Sequence, residues 1–131
     1  MLGTWSGLFI VLHGLVHVWY VVLSQKLVAF QPAMGWNGRS WLLTNLIGDS
    51  STRSVASLLL ILVTVAMVVS GIGVMTRAGH NEWWRPVLIG AAVLSSVTLI
   101  IFWDGSLDLI VQKGLIGLVI NGAILIAMAT L

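Results

Sequence analysis

The chain carries four apolar runs, over residues 3–24, 55–76, 86–103 and 109–131, within a total of 131 residues. A bilayer core of about 30 Å takes ~20 apolar residues per helical span. Each run is near that length and keeps Asp, Glu, Lys and Arg out of its central turns. Charged residues make up 8% of the chain, against roughly 25% in soluble domains, and hydrophobic residues make up 59%. In a bilayer every backbone polar group must be satisfied within its own segment or a closed barrel, and runs of this length select helices. The expected architecture is all-α: an integral membrane, multi-pass four-helix bundle forming one domain over residues 1–131.

The connections divide the chain unequally. The first, residues 25–54, contains Pro32, Gly35, Gly38 and Gly48, which exclude one continuous helix. Within it, residues 39–47 set Trp41, Leu42, Leu43, Leu46 and Ile47 among polar residues, the pattern of a short interfacial helix. The second, residues 77–85, is polar and leads into Pro86, well placed in the first turn of a helix. The third, residues 104–108, is a tight turn around Gly105.

Four spans put both termini on one side, together with the second connection. Trp5, Trp83 and Trp84 fall at that side. Trp19, Tyr20, Trp36, Trp41 and Trp103 fall at the other, as expected for rings at headgroup level. The second side also carries Lys26, Arg39, Arg53 and Lys113, against Arg77 and Arg85 on the first. The positive-inside bias therefore places the termini outside the cytoplasm. The first run lacks a basic n-region and outlasts a signal-peptide core, so it reads as a retained helix.

Several functions are argued down by what the chain lacks. It has no cysteine, which removes disulfides, thiolate metal sites and thiol-based quinone chemistry. A net charge of +2 without a basic patch excludes a nucleic-acid partner. No span holds the carboxylate of a proton-coupled exporter or the Arg repeat of a voltage sensor. No motif names a reaction, and the sequence identifies no catalytic residue or cofactor.

The helix faces are more informative. In the first span Ser6, Ile10, His13, His17, Tyr20 and Ser24 recur at steps of three and four, forming one stripe. Gly3, Gly7 and Gly14 lie on an adjacent face. The second span carries Ser57, Thr64 and Gly71, the third Ala91, Ser95 and Thr98, and the fourth Gly114, Gly117 and Asn121. Small and weakly polar stripes are how membrane helices approach closely. Asn121, near the midplane, is expected to face the bundle and hydrogen-bond a neighbour. The Gly114–Gly117–Asn121 face is also a candidate surface for a second copy or a membrane-protein partner.

His13 and His17, four residues apart, leave one face within reach of each other. Asp104 and Asp108 lie in the third connection at the same end of the bundle as His17. Packing of the first helix beside the fourth would let His17 look toward either carboxylate, with Lys113 and Arg39 joining from above. Asp104 alone suits a cap for the fourth helix or a partner for Lys113. Four readings stay open for the pair: a metal site, although no third ligand is fixed; a haem held by one histidine, with His80 on the opposite side; a structural hydrogen-bonded pair without ligand; and a polar patch at the end of an apolar pocket. The last would hold the head of a lipid, quinone or other amphiphile. Its expected residues are His13, His17, Tyr20, Arg39, Trp103, Asp104, Asp108, Lys113 and Asn121, with His17 the dominant contact. The expected partners are membrane lipids or an apolar small molecule. The alternative function is a non-catalytic accessory or scaffold subunit of a larger membrane complex or homo-oligomer.

The four spans and the first-helix stretch over residues 8–20, LFIVLHGLVHVWY, resemble the small DoxX-like four-helix membrane proteins. The resemblance covers the hydropathy of the whole chain. It implies a four-helix membrane fold and an accessory place beside quinone-linked membrane complexes, and it transfers no functional residue. The resemblance does not extend to the Trp103-Asp104-Gly105 turn or to the segment over residues 35–41, GWNGRSW.

Overall fold

A computed structural model describes residues 3–76 and 81–131. His80 and Arg77, which the sequence places in the second connection, lie outside the described residues. The described residues form five α-helices and no strand: α1 (Thr4–Ser24), α2 (Thr44–Ile47), α3 (Asp49–Thr76), α4 (Trp84–Ile101) and α5 (Ile116–Thr130). A 3-10 turn covers Pro32–Met34, and a π-type turn, Val111–Leu115, leads into α5. Four segments are long and apolar enough to cross a membrane: α1, α3, α4, and α5 with its preceding turn. The short helix expected in the first connection is present as α2, confined to four residues.

Helix α3 is the centre of the bundle. It packs against α1 on one side and α4 on the other, and α4 in turn packs against α5. The contact with α1 is backbone-close at Gly7 and Gly71. A Cβ on Gly7 would stand 2.6 Å from the Gly71 carbonyl oxygen, and one on Gly71 would stand 2.8 Å from that of Gly7. Small residues permit this approach where lipid offers no hydrophobic incentive for helices to associate. The stripes read from the sequence face inward: Ile10, His13, His17, Tyr20 and Ser24 of α1 are buried, as are Ser57 and Gly71 of α3 and Ala91, Ser95 and Thr98 of α4. Leu12, Leu58, Val65, Ile100 and Val119 point outward, as lipid-facing residues of spans do.

Helix α3 begins six residues before the apolar run, at Asp49. The acid suits the positive end of the helix dipole and pairs with Arg53 one turn on at 2.9 Å. Lys26 approaches the same carboxylate at 3.7 Å.

The GWNGRSW segment has a clear structural role. A helix ends with carbonyls that lack intrahelical partners. At the end of α4 four consecutive carbonyls are met from this segment. Trp41 Nε1–H donates to Ile100 O at 2.9 Å, Ser40 Oγ–H donates to Ile101 O, Trp36 Nε1–H donates to Phe102 O at 2.6 Å, and the Trp41 backbone N–H donates to Trp103 O at 2.7 Å. Trp36 is consequently buried at 3% exposure, packed edge-on against Tyr20 at 5.8 Å between ring centroids. This corrects its reading as a headgroup-level ring: its indole closes the end of the bundle.

The fourth apolar run is not one regular helix. Gly114 has φ +111° inside the π-type turn, a conformation that glycine adopts without the steric cost other residues meet. Lys113 is thereby turned inward, and α5 proper starts at Ile116.

Candidate functional site

His13 and His17 project from α1 into the bundle with ring centroids 5.3 Å apart, edge to face. Both are buried. His13 Nε2 lies 2.9 Å from Asn121 Oδ1 on α5. Asn121 Nδ2 lies 2.8 Å from Ser95 Oγ on α4. The same Ser95 Oγ lies 2.7 Å from His17 Nε2. His17 Nδ1 reaches back to its own helix, 3.1 Å from His13 O and 3.2 Å from Gly14 O. Asn121 and Ser95 are fully buried. This closed loop of polar side chains ties three helices together near the centre of the spans. Buried polar groups are costly unless paired, and here each of the four side chains finds at least one partner.

The loop crosses a gap. Helices α1 and α5 do not pack along their lengths but face each other across a cleft of about 250 Å³. The cleft walls are mostly apolar: Val16 from α1, Leu99 from α4, Val111 from the turn, and Ile116 and Ile120 from the start of α5 and one turn beyond. His13, His17 and Tyr20 supply its polar wall. Beyond the His13–Asn121 bond a second apolar groove of about 460 Å³ runs toward Trp5, and Ile120 lines both. Among the described residues His13 Nδ1 has no hydrogen-bond partner, and the enclosed side-chain polar atom without a partner is Thr98 Oγ1.

The remaining expected residues divide into two groups. Tyr20 joins the cleft, and its hydroxyl donates to Gln112 O at 2.9 Å, holding the π-type turn. Asp104 and Lys113 form an ion pair of 2.9 Å with side chains only 11% and 4% exposed. This is the Lys113 partnership anticipated for Asp104; its other oxygen accepts from the Ser106 N–H at 2.9 Å rather than capping the fourth helix. Trp103 Nε1–H donates to Ser106 O at 2.8 Å and flanks the pair. Arg39 and Asp108 are exposed. No carboxylate meets His17, whose ring nitrogens are taken by Ser95 and by carbonyls. The expected Asp104 or Asp108 counter-charge is therefore absent from its hydrogen-bonding shell.

On the Gly114–Gly117–Asn121 face, Asn121 is fully buried and a Cβ on Gly117 would meet Leu99 at 3.2 Å and His13 at 4.0 Å, while Gly114 and Gly117 also line the cleft. His17 has both ring nitrogens engaged, whereas His13 has a hydrogen-bond partner at Nε2 only among the described residues. Ser95, which joins the two histidines, was placed by the sequence only in a small-residue stripe. Its spacing with Ala91 and Thr98 marked it as inward-facing, but nothing in the pattern paired it with α1.

Among the described residues no group of three His, Asp or Glu side chains is gathered as metal ligands. No protein-family model, curated protein or solved structure matches the chain.

Proposed function

We propose that this membrane protein binds an amphiphile laterally, taking its polar head into the α1–α5 cleft while the tail stays among lipid-facing side chains. One observation carries the reading: the cleft is the seam where α1 and α5 face each other without packing along their lengths, and it is lined by His13, whose Nδ1 has no hydrogen-bond partner among the described residues. Ligand pockets are typically apolar with a few converging polar groups, and this seam has that composition. The closed polar loop holds His13 in place, so the binding nitrogen is positioned before a ligand arrives. The DoxX-like resemblance is compatible with a membrane amphiphile as the occupant.

The test is extraction of the protein purified in mild detergent, followed by mass spectrometry of the bound small molecules. Val16 is 57% exposed on the cleft rim and takes no part in the polar loop, so Val16→Trp fills the cleft without touching the network. The expected result is an amphiphile retained by the parent protein and lost from Val16→Trp at unchanged thermal stability. Identical extracts from both proteins would overturn the reading.

A further inference from the structure

The polar loop fixes more than the position of His13. We propose that the cleft selects amphiphiles whose head donates a hydrogen bond, an alcohol or phenol-type hydroxyl, over heads that only accept, such as a ketone, a quinone carbonyl or an ether. The inference rests on the amphiphile-binding reading above and adds the chemical class of the head.

The argument starts at His17. Its Nδ1 faces two carbonyl oxygens, at 3.1 and 3.2 Å, and carbonyls only accept. Nδ1 must therefore carry the hydrogen. No carboxylate stands beside the ring among its hydrogen-bond partners, and an imidazolium within an apolar span without a counter-charge is costly. The ring is neutral, so Nε2 is a lone-pair acceptor. Ser95 Oγ, 2.7 Å away, must donate its one hydrogen there. Ser95 then has only acceptor capacity left for Asn121, so the Asn121 group facing it at 2.8 Å is the amide NH₂. The Asn121 carbonyl oxygen accordingly faces His13 Nε2 at 2.9 Å, and His13 Nε2 must donate. Rotating the Asn121 amide by half a turn would require Ser95 to donate to Asn121 and His17 to donate through both nitrogens, which makes His17 an imidazolium.

The tautomer of His13 follows from the far end of the loop. Its Nε2 carries the hydrogen, and a neutral ring leaves Nδ1, without a partner among the described residues, as a bare lone pair on a residue that lines the cleft. A lone pair is satisfied by a donor. A head that only accepts gains nothing there and leaves its own oxygen facing another acceptor. A matched hydrogen bond between neutral groups is worth about 3- to 10-fold in affinity.

The experiment uses the full chain in phosphatidylcholine nanodiscs with ¹⁵N-labelled histidine. Nitrogen NMR reads the protonation of each ring nitrogen directly. The expected spectrum of the protein without added ligand has His13 protonated at Nε2 alone and His17 at Nδ1 alone; a His13 protonated at Nδ1 overturns the proposal outright. 1-Hexadecanol, its methyl ether and hexadecan-2-one are then titrated into the nanodiscs as matched probes. The alcohol should perturb the His13 Nδ1 resonance and half-saturate at about 3- to 10-fold lower mole fraction than either of the others. Equal saturation by all three overturns donor selection while leaving amphiphile binding intact. Loss of all three responses, together with no amphiphile in the purified protein, removes both.

Discussion

Breaking the Asp104–Lys113 pair one side at a time should cost far more than removing it whole. The pair is 2.9 Å long and almost wholly enclosed, with side chains 11% and 4% exposed. Asp104→Leu leaves the Lys113 ammonium with one recorded partner, Ser106 O at 3.3 Å. An uncompensated buried charge of this kind costs about 3–5 kcal/mol. Lys113→Met leaves the Asp104 carboxylate with the Ser106 N–H at 2.9 Å, so its cost falls toward the lower end, about 3 kcal/mol. The double variant leaves no charge behind. Replacing a buried pair by apolar residues is often neutral or stabilising by about 1–4 kcal/mol. Against this stands the lost Asp104–Ser106 bond, worth about 1 kcal/mol. The double variant is therefore expected within about 1 kcal/mol of the parent, less disturbed than either single change. Reversible unfolding in mixed micelles by increasing SDS fraction, monitored by tryptophan fluorescence, gives the three differences. Single variants each within about 0.5 kcal/mol of the parent and an additive double would refute the reasoning, because that is how a solvated surface pair behaves.

Three further outcomes follow from the packing. Gly71→Ala should cost about 1–3 kcal/mol by forcing α1 off α3, whereas Gly122→Ala, with nothing within 4 Å of its added methyl, should be neutral or gain up to about 1 kcal/mol, both read by the same unfolding assay. Thr98→Val, which removes the enclosed unpaired hydroxyl beside a cavity of about 10 Å³, should be neutral or stabilising, and a clear loss would mean that Oγ1 has a partner. Trp36→Phe should destabilise by about 1–3 kcal/mol through the donor lost at the end of α4, with frayed amide exchange localised to residues 98–103.

What the sequence disclosed was governed by one-dimensional periodicity. The four spans and the inward stripe of α1 were legible because hydropathy and helical spacing are local properties, and Gly7, Gly14 and Gly71 could be placed on packing faces by the same count. Asn121 could be turned inward because an exposed amide in lipid is unfavourable. Which helices meet was not legible. Short connections allow α1 beside the fourth span, but hydropathy does not say whether they pack or stand apart, and here the cleft lies between them. The partner of His17 was missed for a related reason: charged residues attract attention in a membrane sequence, and a serine, Ser95, made the bond. Lys113 and Trp36 were both read as interfacial from their positions near span ends. Their burial depends on a backbone break at Gly114 and on the folding of residues 35–43 over the end of α4, which are matters of tertiary geometry.

The most direct test of the cleft is a side-chain-resolution cryo-EM map of the protein in nanodiscs, purified without stripping its bound lipid. The expected map has α1 and α5 apart, with elongated density between them ending within hydrogen-bond distance of His13 Nδ1. A map with α1 packed directly against α5, or with the side chain of a second copy seated against His13, would contradict it.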